Sequence, residues 1–363
     1  MKTIIQVVQR LSPGGIEVMA LEMLRLHEQN VKAYIVSLEG SKKAMLRQWP
    51  RLQPYAEQLI FLEKPPGWSL ATFYRLNKIF RRLKASAVHT HHIGPLIYGG
   101  TAARLAGVKR WIHTEHDAWH LDDPKRKKLE KNAVRLLRPN MVADSRPVAE
   151  ALASSMGLKN IKIIGNGIDT DTFKPGNATA ARNHLRLPLN VKLIGCAGRM
   201  EPEKGQKVLL NALSYLPPET HLAFAGSGSE YPALKAQSVS LGFSHRVHFL
   251  GHVDEMATFY QALDVFCLSS FKEGMPLAPL EAQACGIPAV LPKIGACEDG
   301  LCPKTGALVV PGAPVALAMA LNRILKREST DTPRAFVCEH ANAQTMTHAY
   351  TELCLNLKGG ATS

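Results

Sequence analysis

The chain alternates short apolar runs with amphipathic stretches. Strand-like runs fall at 3–8, 33–38, 58–62, 87–90, 110–114 and 140–143. A helical pattern through Ile16, Met19, Ala20, Met23 and Leu24 follows the first run, and further helical stretches cover 70–83 and 125–137. Strands separated by amphipathic helices predict βαβ units around a parallel sheet. The pattern restarts at 191–197, with strand candidates at 221–225, 246–250, 264–268, 288–291 and 307–310. Between the two series, Gly, Asn, Asp and Pro concentrate and periodicity is lost. An α/β fold with two doubly wound, Rossmann-like halves is expected: an N-terminal domain over 1–165, a linker over 166–188 and a C-terminal domain over 189–340. A last helical pattern, about 341–358, is expected to pack back on the first half. Open α/β sheets bind ligands at the carboxyl ends of their strands, where the strand order reverses. A central cleft between the halves is therefore the expected site.

Composition sharpens this picture. At 363 residues, 46% hydrophobic and 20% charged, the chain can bury two cores, which excludes a disordered or fibrous protein. No apolar run is long enough to span a bilayer, and no charged-then-apolar leader precedes the first strand pattern, so a cytosolic location is expected. All seven cysteines lie beyond residue 195, without a CxxC spacing and mostly in apolar runs. They read as buried thiols rather than a disulfide frame or a zinc site. Charge is lopsided: residues 1–175 hold 28 Lys and Arg against 15 Asp and Glu, whereas 176–363 hold 16 against 15. The basic half suggests an anionic partner.

Two motifs carry candidate chemistry. Gly198-Arg199-Met200-Glu201-Pro202-Glu203-Lys204-Gly205 follows the first strand of the second half and opens a helix. Arg199 and Lys204 beside a helix N-terminus suit a diphosphate. The competing reading is a solvated loop with a surface ion pair to Glu201 or Glu203. The second motif runs from Glu273 through Gly274, Met275, Pro276 and Leu277 to Glu281. Pro276 suits a first helical turn, and Gly274 lets backbone amides approach a phosphate or sugar. Carboxylates are good acceptors for vicinal hydroxyls. A helix-terminal acid plus a surface acid would explain the same residues without function.

Taken jointly, Gly-Arg-x4-Lys-Gly and Glu-Gly-x6-Glu-Ala-x3-Gly-x-Pro resemble the retaining glycosyltransferase family four, of the GT-B fold. Pro13-Gly14-Gly15-Ile16-Glu17 is similar to its first glycine loop, Asn166-Gly167-Ile168-Asp169 with Phe173 to its interdomain turn, and Ala225-Gly226-Ser227-Gly228 to its nucleotide-side glycine loop. The resemblance implies transfer of a hexose-type sugar from a nucleotide-sugar donor, read here as UDP-linked, to a lipid-linked or saccharide acceptor in surface polysaccharide or glycolipid synthesis. It implies that Arg199 and Lys204 hold the diphosphate, Glu281 the ribose, and Glu273 the transferred sugar with the amides of Gly274, Met275 and Leu277 beside Pro276. Gly15 would bring the N-terminal loop to the reacting centre. Gly226, Gly228 and Val253 would lie on the nucleotide side. His116 matches the family's cleft histidine, with His113 as a weaker candidate. Retention by front-face substitution follows from the same resemblance, since no nucleophilic carboxylate is evident.

Other patterns in the sequence compete with this reading. Asp169-Thr170-Asp171 spells a metal-associated DxD, but it lies in a turn-rich stretch where Asp and Thr serve caps. His89, His91, His92, His113, His116 and His120 cluster in sequence, yet a zinc site needs three converging ligands and no cysteine is near. No metal or other cofactor is expected. Lys125, Arg126, Lys127, Lys128 and Lys131 form a basic helix, read as docking on the anionic inner face of the cell membrane, near a polyprenyl-diphosphate-linked acceptor. A nucleotide-sugar epimerase of the same fold and a basic nucleic-acid-binding protein are the alternatives. The first leaves the charge asymmetry unexplained, and the second lacks aromatic residues interleaved with Lys125–Lys131. No GxGxxG follows the first strand, which argues against a dinucleotide oxidoreductase.

Overall fold

A computed structural model of the chain describes residues 1–28, 30–327 and 333–355. Contacts divide it into two compact units: Met1–Gly167 with the C-terminal segment from Ala343, and Ile168–Asn342.

The first unit carries β1 (Lys2–Arg10), β2 (Val31–Glu39), β3 (Leu59–Phe61), β4 (Ala87–His91), β5 (Arg110–Glu115), β6 (Asn140–Ala143) and β7 (Lys162–Ile163). They form one parallel sheet in the order β3-β2-β1-β4-β5-β6-β7, which reverses between β1 and β4. Residues 3–8 of β1 are buried throughout, as a central strand covered on both faces must be. Ile5 and Val7 join the cluster of Phe80, Leu96 and Leu137. Ile4 joins Met23, Ile112, Met346 and Tyr350. The helix Ala343–Leu355 thus completes a core layer of the first unit.

The helix expected over about 341–358 starts at Ala343 in the structure. A helix ends at His340, and Asn342 then pairs in a bridge with Ile168 while Ala341 O accepts from Ile168 N at 2.8 Å. These backbone bonds take two residues out of helical conformation before the next helix starts at Ala343. Residues 356–358 of the expectation lie outside the described residues.

The second unit carries β8 (Lys192–Ala197), β9 (Thr220–Ala225), β10 (Val247–Gly251), β11 (Val265–Cys267), β12 (Ala289–Pro292) and β13 (Ala307–Val309). The parallel order is β10-β9-β8-β11-β12-β13, with the reversal between β8 and β11. One apolar core includes Ile194, Phe224, Phe266, Leu280 and Val290. The stretch read as a linker folds into this unit from Ile168 onward. Its helix Ala178–His184 is capped by Asn177, whose Oδ1 accepts from Ala180 N at 2.9 Å. Arg182 anchors it, donating to Ala262 O at 2.8 Å and to Asp264 Oδ2 at 2.7 Å. Among the described residues, no helix is long and apolar enough to cross a membrane.

Candidate functional site

The reversal point of the second sheet gathers both sequence motifs. After β8, Gly198 turns at φ +142 and the chain reaches the short 3-10 turn Pro202–Lys204. Gly205 follows in the left-handed region, and a Cβ there would sit 2.3 Å from Ser269 O. Only glycine permits this approach of the β8 and β11 loops. It sets Lys204 Nζ 2.8 Å from Glu273 Oε1, with side-chain exposures of 23% and 7%. Ser270 Oγ donates to the same carboxylate oxygen at 2.6 Å. The ammonium is thus fixed at the mouth of the sheet rather than swinging in solvent.

Arg199 takes a different position. Its side chain is 69% exposed and meets Glu203 at 3.3 Å, the surface ion pair of the competing reading. Of the two expected phosphate cations, the structure builds in Lys204 and leaves Arg199 on the surface.

The loops after β8 and β9 are zipped together. Met200 N donates to Ser227 O at 2.8 Å and Glu230 N to Met200 O at 2.8 Å. Gly226, at φ +135, would put a Cβ 2.0 Å from Gly198 O, and Gly228 would put one 2.3 Å from Met200 O. Val253 is half-buried beyond β10, packed on the core of this unit.

Pro276, expected within a first turn, is the N-cap instead, in extended conformation at ψ 136, and the helix runs Leu277–Ala284. Its predecessor loop holds Gly274, while half-buried Met275 and Leu277 pack on the core. Glu281 on this helix accepts from Tyr260 Oη at 2.6 Å. Tyr260 is fully buried, and burial together with the Glu281 charge pushes its pKa well above the usual phenol value. The phenol therefore stays a donor and orients the Glu281 carboxylate. Neither Tyr260 nor Ser270 was singled out in the sequence. A serine three residues before Glu273 was the only trace of the latter.

In the first unit, His116 follows β5 and is buried. Gln6 Nε2 donates to Ala20 O at 2.9 Å, which turns Gln6 Oε1 toward His91 Nε2 at 3.4 Å. His91 Nδ1 lies 3.0 Å from His116 Nε2. Burial and the neighbouring histidines hold His91 well below the usual imidazole range, so it is neutral. It donates to Gln6 and accepts from His116, which leaves His116 Nδ1 facing Asp144 Oδ2 at 3.8 Å. Glu17, two residues past Gly15 at the start of the helix Gly15–Leu26, is pushed up to about 7 by burial, against the pull of a backbone bond and His116. His113 is buried between Thr90 and Glu115, a structural position. His89 and His91 share a strand face, with ring centroids 4.0 Å apart.

Asp169 behaves as a turn residue: Oδ1 accepts from Asp171 N at 3.0 Å and Oδ2 from Thr172 Oγ1 at 2.6 Å. The group among the described residues that could hold a metal is Glu115, His120 and Glu130, with donor atoms within 4.8 Å of one another. Burial opposes charge on His120, but hydrogen bonds to Asp117 and Glu130 lift it to about 10. The basic stretch lies on the helix Pro124–Leu137, capped by Asp123. Lys125, Arg126, Lys128 and Lys131 are exposed and Lys127 is half-buried.

Two doubly wound units, each with its reversal point, define the GT-B fold. Anabaena HepE in complex with UDP-glucose matches this architecture with a TM-score of 0.85 at 20% identity, over 98% of this chain and 100% of that one. The profile Glycosyl transferases group 1 matches residues 177–339 and Glycosyltransferase Family 4 matches 13–172. The D-inositol 3-phosphate glycosyltransferase of Xylanimonas cellulosilytica is 31% identical over 73% of this chain and 69% of its own length. That of Mycobacteroides abscessus is 31% identical over 68% of this chain, but only 56% of its own length is spanned. The chain belongs to glycosyltransferase family 4.

Proposed function

We propose that the protein is a retaining hexosyltransferase that takes its sugar from a UDP-linked donor. The observation that carries this reading is the Lys204–Glu273 pair at the reversal point of the second sheet. Departure of a nucleoside diphosphate concentrates negative charge on its leaving oxygen, and a fixed ammonium stabilises that charge better than reorienting water does. Glu273 then accepts from hydroxyls of the transferred sugar, and Glu281, oriented by Tyr260, from those of the ribose. Arg199 would leave Glu203 to fork onto the diphosphate. His116, held by His91 and Asp144, would position the sugar and need not be a base. The diphosphate charge is met by these cations, so transfer itself would proceed without a metal ion at the phosphates.

The acceptor is proposed to be lipid-linked or saccharide, with Lys125, Arg126, Lys128 and Lys131 docking the basic unit on anionic lipid at about 1 kcal/mol each. The relatives named for inositol 3-phosphate favour a second reading, a phosphorylated polyol acceptor, which the same basic unit would attract. The test is donor hydrolysis and transfer across UDP- and GDP-sugars with saccharide, polyprenyl-diphosphate and inositol-phosphate acceptors. NMR of the product anomer reads the stereochemistry. Arg199→Ala, Lys204→Ala and Glu273→Ala are expected to lower turnover. An inverted anomer would overturn retention. Unaltered turnover in Lys204→Ala would overturn the site. Indifference to anionic liposomes at low salt would remove the docking.

A further inference from the structure

We propose that Glu115, His120 and Glu130 form a binding site for one divalent metal ion of the zinc class in the first unit, separate from the chemistry of transfer. The three come from different elements: Glu115 ends β5, His120 lies in the 3-10 turn Trp119–Asp122, and Glu130 lies mid-way along the helix Pro124–Leu137. His120 Nε2 is 2.6 Å from Glu130 Oε2 and 4.0 Å from Glu115 Oε2. Donors around a tetrahedral zinc stand about 3.3 Å apart, given metal–ligand bonds of about 2.0–2.1 Å. The observed separations bracket that value, so small side-chain adjustments would close a three-ligand shell.

Three further observations favour a cation over a self-sufficient ion-pair cluster. First, the carboxylates are deeply buried, at 2% exposure for Glu115 and 0% for Glu130, and the partners the structure gives them are imidazoles, His113 on Glu115 and His120 on both. Secondly, Glu130 Oε1 is buried with no hydrogen-bond partner, a costly state for a carboxylate oxygen that a dication would relieve. Glu130 is also the buried acid of a helix whose neighbouring Lys128 and Lys131 are exposed, so burial is specific to that side chain. Thirdly, the outer contacts are those that metal ligands make. His120 Nδ1 meets Asp117 Oδ1 at 2.9 Å, which presents Nε2 toward the carboxylates, and Glu115 Oε1 meets His113 Nε2 at 2.5 Å, which leaves Oε2 for the ion. One imidazole and two carboxylates suit Zn2+, Co2+ or Mn2+ better than Ca2+, which takes six or more oxygens. The ion would tie β5 to the following helix across the turn that begins at His116, and so brace a residue of the proposed transfer site without touching substrate.

The experiment uses the full chain, stripped of metal by chelation and titrated with Co2+ alone. Wild-type protein is expected to bind one Co2+ per chain with visible d–d absorption, to exchange it for Zn2+, and to melt at a higher temperature when loaded. His120→Ala and Glu130→Gln should lose the spectrum. Asp117→Asn, which removes only the outer contact, should weaken binding about 10–100-fold. His92→Ala, in the neighbouring histidine cluster, should leave the spectrum unchanged. Circular dichroism checks each variant for folding. If Glu130→Gln does not fold, His120→Ala and Asp117→Asn decide the matter. No bound Co2+ in the wild type, or the same spectrum and affinity in His120→Ala, overturns the proposal.

Discussion

Replacing Lys204 by Met tests whether the ion pair at the second reversal point is built in. At 2.8 Å, an effective dielectric of about 20 gives an attraction of about 6 kcal/mol, most of which is offset by desolvation of the two ions. Removing one partner of a buried pair costs about 3–5 kcal/mol, because the other charge stays behind. Here the lysine is 23% exposed and Glu273 keeps its bond from Ser270, so we expect less, about 2–3 kcal/mol. Lys204→Met/Glu273→Gln should recover most of the stability and none of the turnover. The assay is urea unfolding followed by circular dichroism and by tryptophan fluorescence. All four tryptophans (Trp49, Trp68, Trp111, Trp119) lie in the first unit, so the loss should appear in the transition that fluorescence does not report. Equal stability of the single and double variants at pH 8 would refute the reasoning.

Gly226→Ala forces a Cβ to 2.0 Å from Gly198 O at φ +135, and should cost about 2–4 kcal/mol in urea unfolding, whereas Gly242→Ala, at φ +75 with open space, should cost about 1. Glu17 is pushed up to about 7, so its neutral form suits the fold below pH 4.5 and that contribution is lost as pH rises through 7. Glu17→Gln should therefore raise the melting temperature at pH 8 and leave it nearly unchanged at pH 5. Cys338 is exposed while the other six thiols are buried, with Cys196, Cys285, Cys297 and Cys354 pushed up to about 12 by burial. One thiol should react with a disulfide reagent in native buffer and seven in denaturant.

Strands with short, largely apolar or buried runs were legible from pattern alone, and β1, β4, β6 and β9 lie within two residues of their expected bounds. The two-residue β7 was not read, because Lys162 and Ile163 are both exposed and show no alternation. That the last helix starts at Ala343 rather than at 341 was equally invisible, since it depends on Ile168, more than 170 residues away. At the candidate site, the two motifs singled out Lys204, Glu273 and Glu281 as candidates, and the family resemblance implied their roles. Their partners are set by three-dimensional packing: Lys204 meets a carboxylate 69 residues on, and Glu281 meets a core tyrosine. Arg199 and Lys204 look alike in the motif, but the glycine turn at 205 draws only Lys204 toward the β11 loop. The histidine cluster was visible as a composition anomaly. Which of its members meet acids depends on β4–β5 register, His91 pairing with Thr114, and on the turn that follows.

The placement of the helix Ala343–Leu355 bears on how the protein is made. Tyr350 Oη meets Thr114 Oγ1 at 3.3 Å and Thr351 Oγ1 meets His27 Nδ1 at 3.0 Å, across more than 230 and 320 residues respectively. During synthesis the ribosome delivers Ile168–Asn342 as one uninterrupted stretch, able to collapse as soon as it emerges. The earlier-born unit must wait, one layer of its core uncovered, until that final helix arrives. Vectorial order is thereby inverted: the half translated first matures last, and it is the half that chaperones would have to shield.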